Sequence, residues 1–164
     1  MKKIVALFAF LLSLSATAQF SKTHYIPPLS NTDSAAAVPQ GQSMYISCPS
    51  ITPVNFQIQE IGGNTITGVV SRDTPYVYVI GSGYDTQLLI SSSDVNTVKN
   101  NKGFIVQAED LIYVTVRLTA SNQNFQAGGL VSKGSAALGT QFRIGAFINT
   151  GISAISNTHY TFAS

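Results

Sequence analysis

The chain reads as an all-β protein, an antiparallel β-sandwich-like domain of short strands. Three observations point there. Apolar and polar residues alternate with a period of two in several separate segments. Gly, Pro, Asn, Asp and Ser fence those segments at spacings of roughly 8–12 residues. Beyond the N-terminal leader, no long window carries the apolar stripe of a helix. An incomplete β-repeat or a propeller-like array fits the same pattern, and the order of the strands stays open.

Residues 1–18, MKKIVALFAFLLSLSATA, have the three parts of a secretory signal peptide. Lys2 and Lys3 form the basic start, Ile4 to Leu14 the apolar centre, and Ala16, Thr17 and Ala18 the small-residue end, so cleavage between Ala18 and Gln19 is expected. The apolar run is shorter than the ~20 residues that cross a bilayer. The processed chain is therefore expected to be secreted or at the cell surface, with no membrane insertion. Residues 19–42 mix proline with small and polar residues and read as an extended lead-in, in which Pro27 and Pro28 exclude a helix.

Residues 43–164 form the expected all-β domain. Ser43 to Ser47 opens it. In TPVNFQIQE, Val54, Phe56 and Ile58 point one way and Asn55, Gln57 and Gln59 the other, as in a half-buried strand. Gly62, Gly63 and Asn64 supply a turn into TITGVV, completing a hairpin. Tyr76 to Ile80, Gln87 to Ser91, Phe104 to Ala108, Leu111 to Ala120 and Phe142 to Ile148 are further strands, and Ser93 or Asp94 caps a single helical turn. Glu109 and Asp110 fall between two strand-like runs and read as a solvated hairpin connection, not as a catalytic pair. The glycine-rich segment from Ala127 to Phe142 reads as a loop between sheet elements. At the end, HYTFAS begins a new β pattern that echoes MYISCPS at 44–50, and so the domain is expected to be truncated at its C-terminal end.

Charge and chemistry narrow the function classes. Seven basic residues lie outside the leader, against seven acidic ones. The basic residues are scattered, so nucleic-acid binding is not expected. A single cysteine, Cys48, leaves no internal disulfide framework and reads as a mostly buried thiol at a strand end. No GxSxG elbow is present, and the histidines His24 and His159 lie in the lead-in and at the chain end, far from a triad pattern. Zinc spacing is absent, and calcium at Asp85 and Asp94 is the less improbable metal. Lys133 precedes Gly134, the reverse of a phosphate loop. Tyr76, Tyr78, Tyr84 and Phe125 offer aromatic faces for a sugar but fit core positions better. No catalytic residue, metal site or cofactor is expected.

Three stretches carry a family resemblance: THYIPPL, NNKGFIVQAEDLIYVTVRL and QAGGLVSKGSAALGTQFRIGAFIN. Together they resemble the N-terminal region of long secreted surface proteins of Bacteroidota, especially flavobacteria, described by an IgGFc-binding-type N-terminal domain. That resemblance implies downstream β modules and, often, a gliding-motility-associated C-terminal domain that serves type IX secretion. It defines no binding residues to carry over, so immunoglobulin binding is not implied. The expected function is a non-enzymatic exported β module, the N-terminal part of an adhesin-like protein, with an unknown extracellular protein or glycan as partner. A carbohydrate-binding module or small glycan-active enzyme, and an inert structural fragment of a larger repeat protein, are the alternatives.

Overall fold

The structure is a computed structural model that describes residues 20–30, 39–94, 97–120 and 125–138. The signal peptide, the Ala18–Gln19 cleavage point, the strand expected at 142–148, His159 and the final HYTFAS lie outside the described residues.

The described chain is all-β and antiparallel, as its alternation predicts, apart from one short parallel pair. Nine strands follow in order: β1 (Ser21–Ile26), β2 (Leu29–Ser30), β3 (Gly41–Ser47), β4 (Val54–Glu60), β5 (Thr65–Val70), β6 (Tyr76–Gly81), β7 (Leu89–Ile90), β8 (Phe104–Ala120) and β9 (Phe125–Ser132). Seven of them form one curled half-barrel sheet of order β5-β4-β8-β3-β6, with β1 and β9 also paired to β8. The remaining two, β2 and β7, make the parallel pair.

The long strand β8 belongs to both halves of this sheet. Its first part pairs with β4, from Phe56↔Ala108 to Glu60↔Phe104, and with β1 on its other edge. Its second part pairs with β3, from Ser47↔Tyr113 to Gly41↔Thr119, and with β9 on its other edge. The halves fold toward each other, and their inward side chains fill one core. Phe104 of the first half meets Tyr78 of the second edge to face at 6.2 Å, and Phe56 meets Tyr76 at 4.9 Å. Met44, Ile46, Ile58, Val106, Ile112 and Val114 are fully buried between them.

Local sequence explains the better-behaved elements. The β4–β5 hairpin turns at Gly62, whose φ of +77° favours glycine. The Glu60 amide donates to the Asn64 carbonyl across the turn at 2.9 Å. Across the hairpin, Phe56 faces Gly68, which leaves room for its ring. Of the segment Gln87 to Ser91 only Leu89–Ile90 is strand, and the expected helical turn is a 3-10 turn over Ser92–Asp94.

Three sequence expectations need correction. Ser21–Ile26 is not a lead-in; it is a strand of the sheet, with Thr23↔Gln107 through Ile26↔Phe104 in register. The runs on either side of Glu109 and Asp110 do not form a hairpin but belong to one 17-residue strand. Phe125–Ser132 is a strand where the glycines suggested a loop, because pairing with β8 supplies what its composition lacks.

Candidate functional site

The acidic pair sits at a corner of β8. Between Thr23↔Gln107 and Ser21↔Ile112, two steps along β1 cover five along β8, so three residues of β8 are extra. Such a bulge bends its strand, and here it redirects β8 from one half of the sheet to the other. Alternation lapses accordingly, since Glu109, Asp110 and Leu111 are exposed in succession. Side chains satisfy the freed backbone groups. The Asp110 carboxylate accepts from the Leu111 amide at 2.8 Å, and the Lys22 ammonium donates to the Glu109 carbonyl at 2.7 Å. Both acids are hydrated, as the sequence predicts, but at a bend instead of a reversal.

His24 fills the inner side of the same corner and is 0% exposed. Its Nε2 faces two carbonyl oxygens, Ile112 at 3.0 Å and Ser21 at 3.2 Å, so the network assigns the ring proton to Nε2. In the neutral ring, Nδ1 then accepts from the Ser132 hydroxyl at 3.0 Å. Burial, the dominant cause, holds the His24 pKa below its ordinary value of 6.5, while hydrogen bonds to Ile112, Ser21 and Ser132 act the other way. A serine hydroxyl on an imidazole is the core of a hydrolytic dyad. Here, however, Ser132 is only 5% exposed, and carbonyls occupy the place of an orienting carboxylate.

The cluster continues as a structural latch. Ser21 Oγ lies 3.0 Å from Ser135 Oγ and accepts from the Ser135 amide at 3.2 Å. These bonds tie β1 to the 3-10 turn Gly134–Ala137 that follows β9. Gly134 has φ +57°, and a Cβ there would stand 2.3 Å from the Cβ of Ser21. Sequence reading missed this cluster, because 108 residues separate His24 from Ser132 and only sheet pairing joins them.

The other candidates separate. Asp85 accepts from Lys102 at 2.7 Å and Asp94 pairs with Lys99 at 2.8 Å, so each carboxylate has a lysine partner. Among the described residues no cluster of three His, Cys, Asp or Glu converges on one point. Cys48 is buried just after β3, with its thiol directed at the Ser50 and Val70 carbonyls. Tyr76 and Tyr78 pack against the core. The Tyr78 hydroxyl donates to Glu60 Oε1 at 2.7 Å. Burial, followed by that bond and the Glu60 charge, pushes its pKa up to about 12.

What the structure displays openly is the outer face of the first half. An open groove of about 710 Å³ runs over β4, β5 and β8. Asn55, Gln57, Thr67, Val69, Gln107 and Glu109 line it, all at odd positions, while Phe56, Gly68 and Ala108 complete it. Two polar rungs cross the groove: Asn55 Nδ2 donates to Glu109 Oε2 at 2.8 Å, and Gln57 Nε2 donates to Gln107 Oε1 at 2.7 Å. Alternation marks Asn55 and Gln57 as outward, but only the β4–β8 pairing brings Glu109 and Gln107 beside them.

Comparison with known proteins gives no match to a family model, to a curated protein or to a solved structure.

Proposed function

We propose that this chain is an exported, non-enzymatic binding module, the N-terminal part of a cell-surface or extracellular adhesin-like protein with further β modules downstream. One contrast carries the reading. Among the described residues, the serine–histidine pair Ser132 and His24 is sealed in the core, whereas amide side chains suited to recognition are held in an open groove. Its support also includes the leader-like N-terminus and the resemblance of three stretches to secreted surface proteins. Among the described residues, no helix is long and apolar enough to cross a membrane.

The experiment incubates the purified, fluorescently labelled chain with intact epithelial and bacterial cells, alongside chromogenic esters and glycosides. Saturable cell binding without hydrolysis is the expected result. Hydrolysis that disappears in Ser132→Ala or His24→Ala, with no saturable binding, would replace this reading with an enzymatic one.

A further inference from the structure

We propose that the groove over β4, β5 and β8 is a subsite for a neutral, hydroxyl-rich ligand, a glycan, held by Gln57, Gln107, Asn55 and Glu109 and flanked by Tyr25. The inference deepens the binding-module reading and rests on it.

The amide chemistry comes first. A primary amide has a carbonyl acceptor and two N–H donors. The Gln57–Gln107 bond uses one end of each side chain, the Gln57 NH₂ and the Gln107 carbonyl. The Gln57 carbonyl and the Gln107 NH₂ are the complementary ends, an acceptor and a donor on one rung. A vicinal diol presents the matching pair, because each hydroxyl both donates and accepts. The second rung holds the Glu109 carboxylate at Asn55 and adds acceptor capacity beside it.

Charge narrows the class. Glu109 is the one carboxylate that lines the groove, and the Lys22 ammonium lies against the Glu109 carbonyl. Among the described residues no lysine or arginine lines the groove, so the surface has no positive field to hold a polyanion and recognition falls to neutral polar groups.

An aromatic face lies along the same surface. The outer face reads Thr67–Gln57–Gln107–Thr23 across four strands, and the next row reads Thr65–Gln59–Ile105–Tyr25. Tyr25 is 48% exposed and stands diagonally from Gln107. Two strand spacings separate it from β4, about 10 Å at ~4.8 Å per strand. That span suits a short oligosaccharide, with one ring on the amides and another against the tyrosine. Tyr76 and Tyr78, by contrast, lean on the core and offer no such face.

The test has two arms. The labelled full chain is applied to an array of neutral and sialylated oligosaccharides, and to intact epithelial cells before and after mild periodate, which cleaves vicinal diols. Expected are saturable binding to a subset of neutral glycans and loss of cell binding after periodate. The double variant Gln57→Ala/Gln107→Ala should weaken array binding at least tenfold and Tyr25→Ala severalfold, both melting within a few degrees of wild type. Tyr45→Ala, on the outer face of the other half, should leave binding unchanged. A blank array with periodate-resistant cell binding would overturn the glycan inference and leave the binding-module reading standing. No saturable cell binding by the folded chain would end both. Glycan binding indifferent to the groove variants would also overturn the assignment of the site.

Discussion

His24 sits just past the break in the ladder between β1 and β8, and its ring bonds the Ser21 and Ile112 carbonyls at that break. Replacing it with Phe keeps an aromatic ring but removes the hydrogen bonds to the Ile112 and Ser21 carbonyls and to the Ser132 hydroxyl, which retains only the Gly134 amide. Each unsatisfied buried group costs about 1–3 kcal/mol, so His24→Phe should lower stability by roughly 2–5 kcal/mol in urea unfolding. The pH dependence has a definite sign. Because the folded-state pKa of His24 lies below 6.5, the unfolded chain binds the extra proton first as pH falls. The stability it contributes is complete above pH 6.5 and declines as pH drops through the folded pKa. Urea midpoints measured from pH 8 to pH 5 should fall for the wild type and fall less for His24→Gln. The acidic pair behaves differently, since Glu109→Gln and Asp110→Ala change hydrated groups and should each shift stability by less than about 1 kcal/mol.

At the scale of elements, the behaviour of β8 was largely legible in the sequence. Apolar residues occupy even positions on both sides of the acidic pair: Phe104 and Val106 before it, Ile112, Val114, Val116 and Leu118 after it. A two-residue hairpin at Glu109–Asp110 would pair Val106 with Tyr113 and put the even residues of one arm beside the odd residues of the other. Shared parity is thus a signal for one continuous strand, opposed by the turn-like composition of the acidic dipeptide. For β9 there was no comparable signal, because Gly128 and Gly129 erase the alternation and only partnership with β8 defines the strand. The amide groove is half legible: periodicity turns Asn55 and Gln57 outward, but the register that sets Glu109 and Gln107 beside them spans about 50 residues of sequence. Two changes probe the elements directly. In Gly68→Ala the new Cβ would stand 2.5 Å from the Phe56 ring, which must leave its place against Tyr76; a loss of about 1–3 kcal/mol is expected in thermal unfolding. On β6, an edge strand among the described residues, Val79 is 70% exposed, so Val79→Lys should reduce aggregation in light scattering while moving the melt by no more than a degree or two.

For the whole molecule, one strand common to both halves predicts that they unfold as a single cooperative unit. The core between them has no disulfide to assist it, since Cys48 is the chain's one cysteine. Phe104 links the halves through Tyr78, so Phe104→Ala should lower stability by about 3–5 kcal/mol and keep a single transition, whereas independent halves would melt in two. The most direct measurement is a set of cross-strand nuclear Overhauser contacts in isotope-labelled chain. A β8 that bends at Glu109–Leu111 and serves both halves predicts backbone contacts between Phe56 and Ala108, between Ile46 and Val114, and between His24 and Val106. Contacts between Val106 and Tyr113, with Ile46 and Val114 apart, would mean that the chain reverses at the acidic pair, and the two-sided sheet with its buried histidine and outer groove would be wrong.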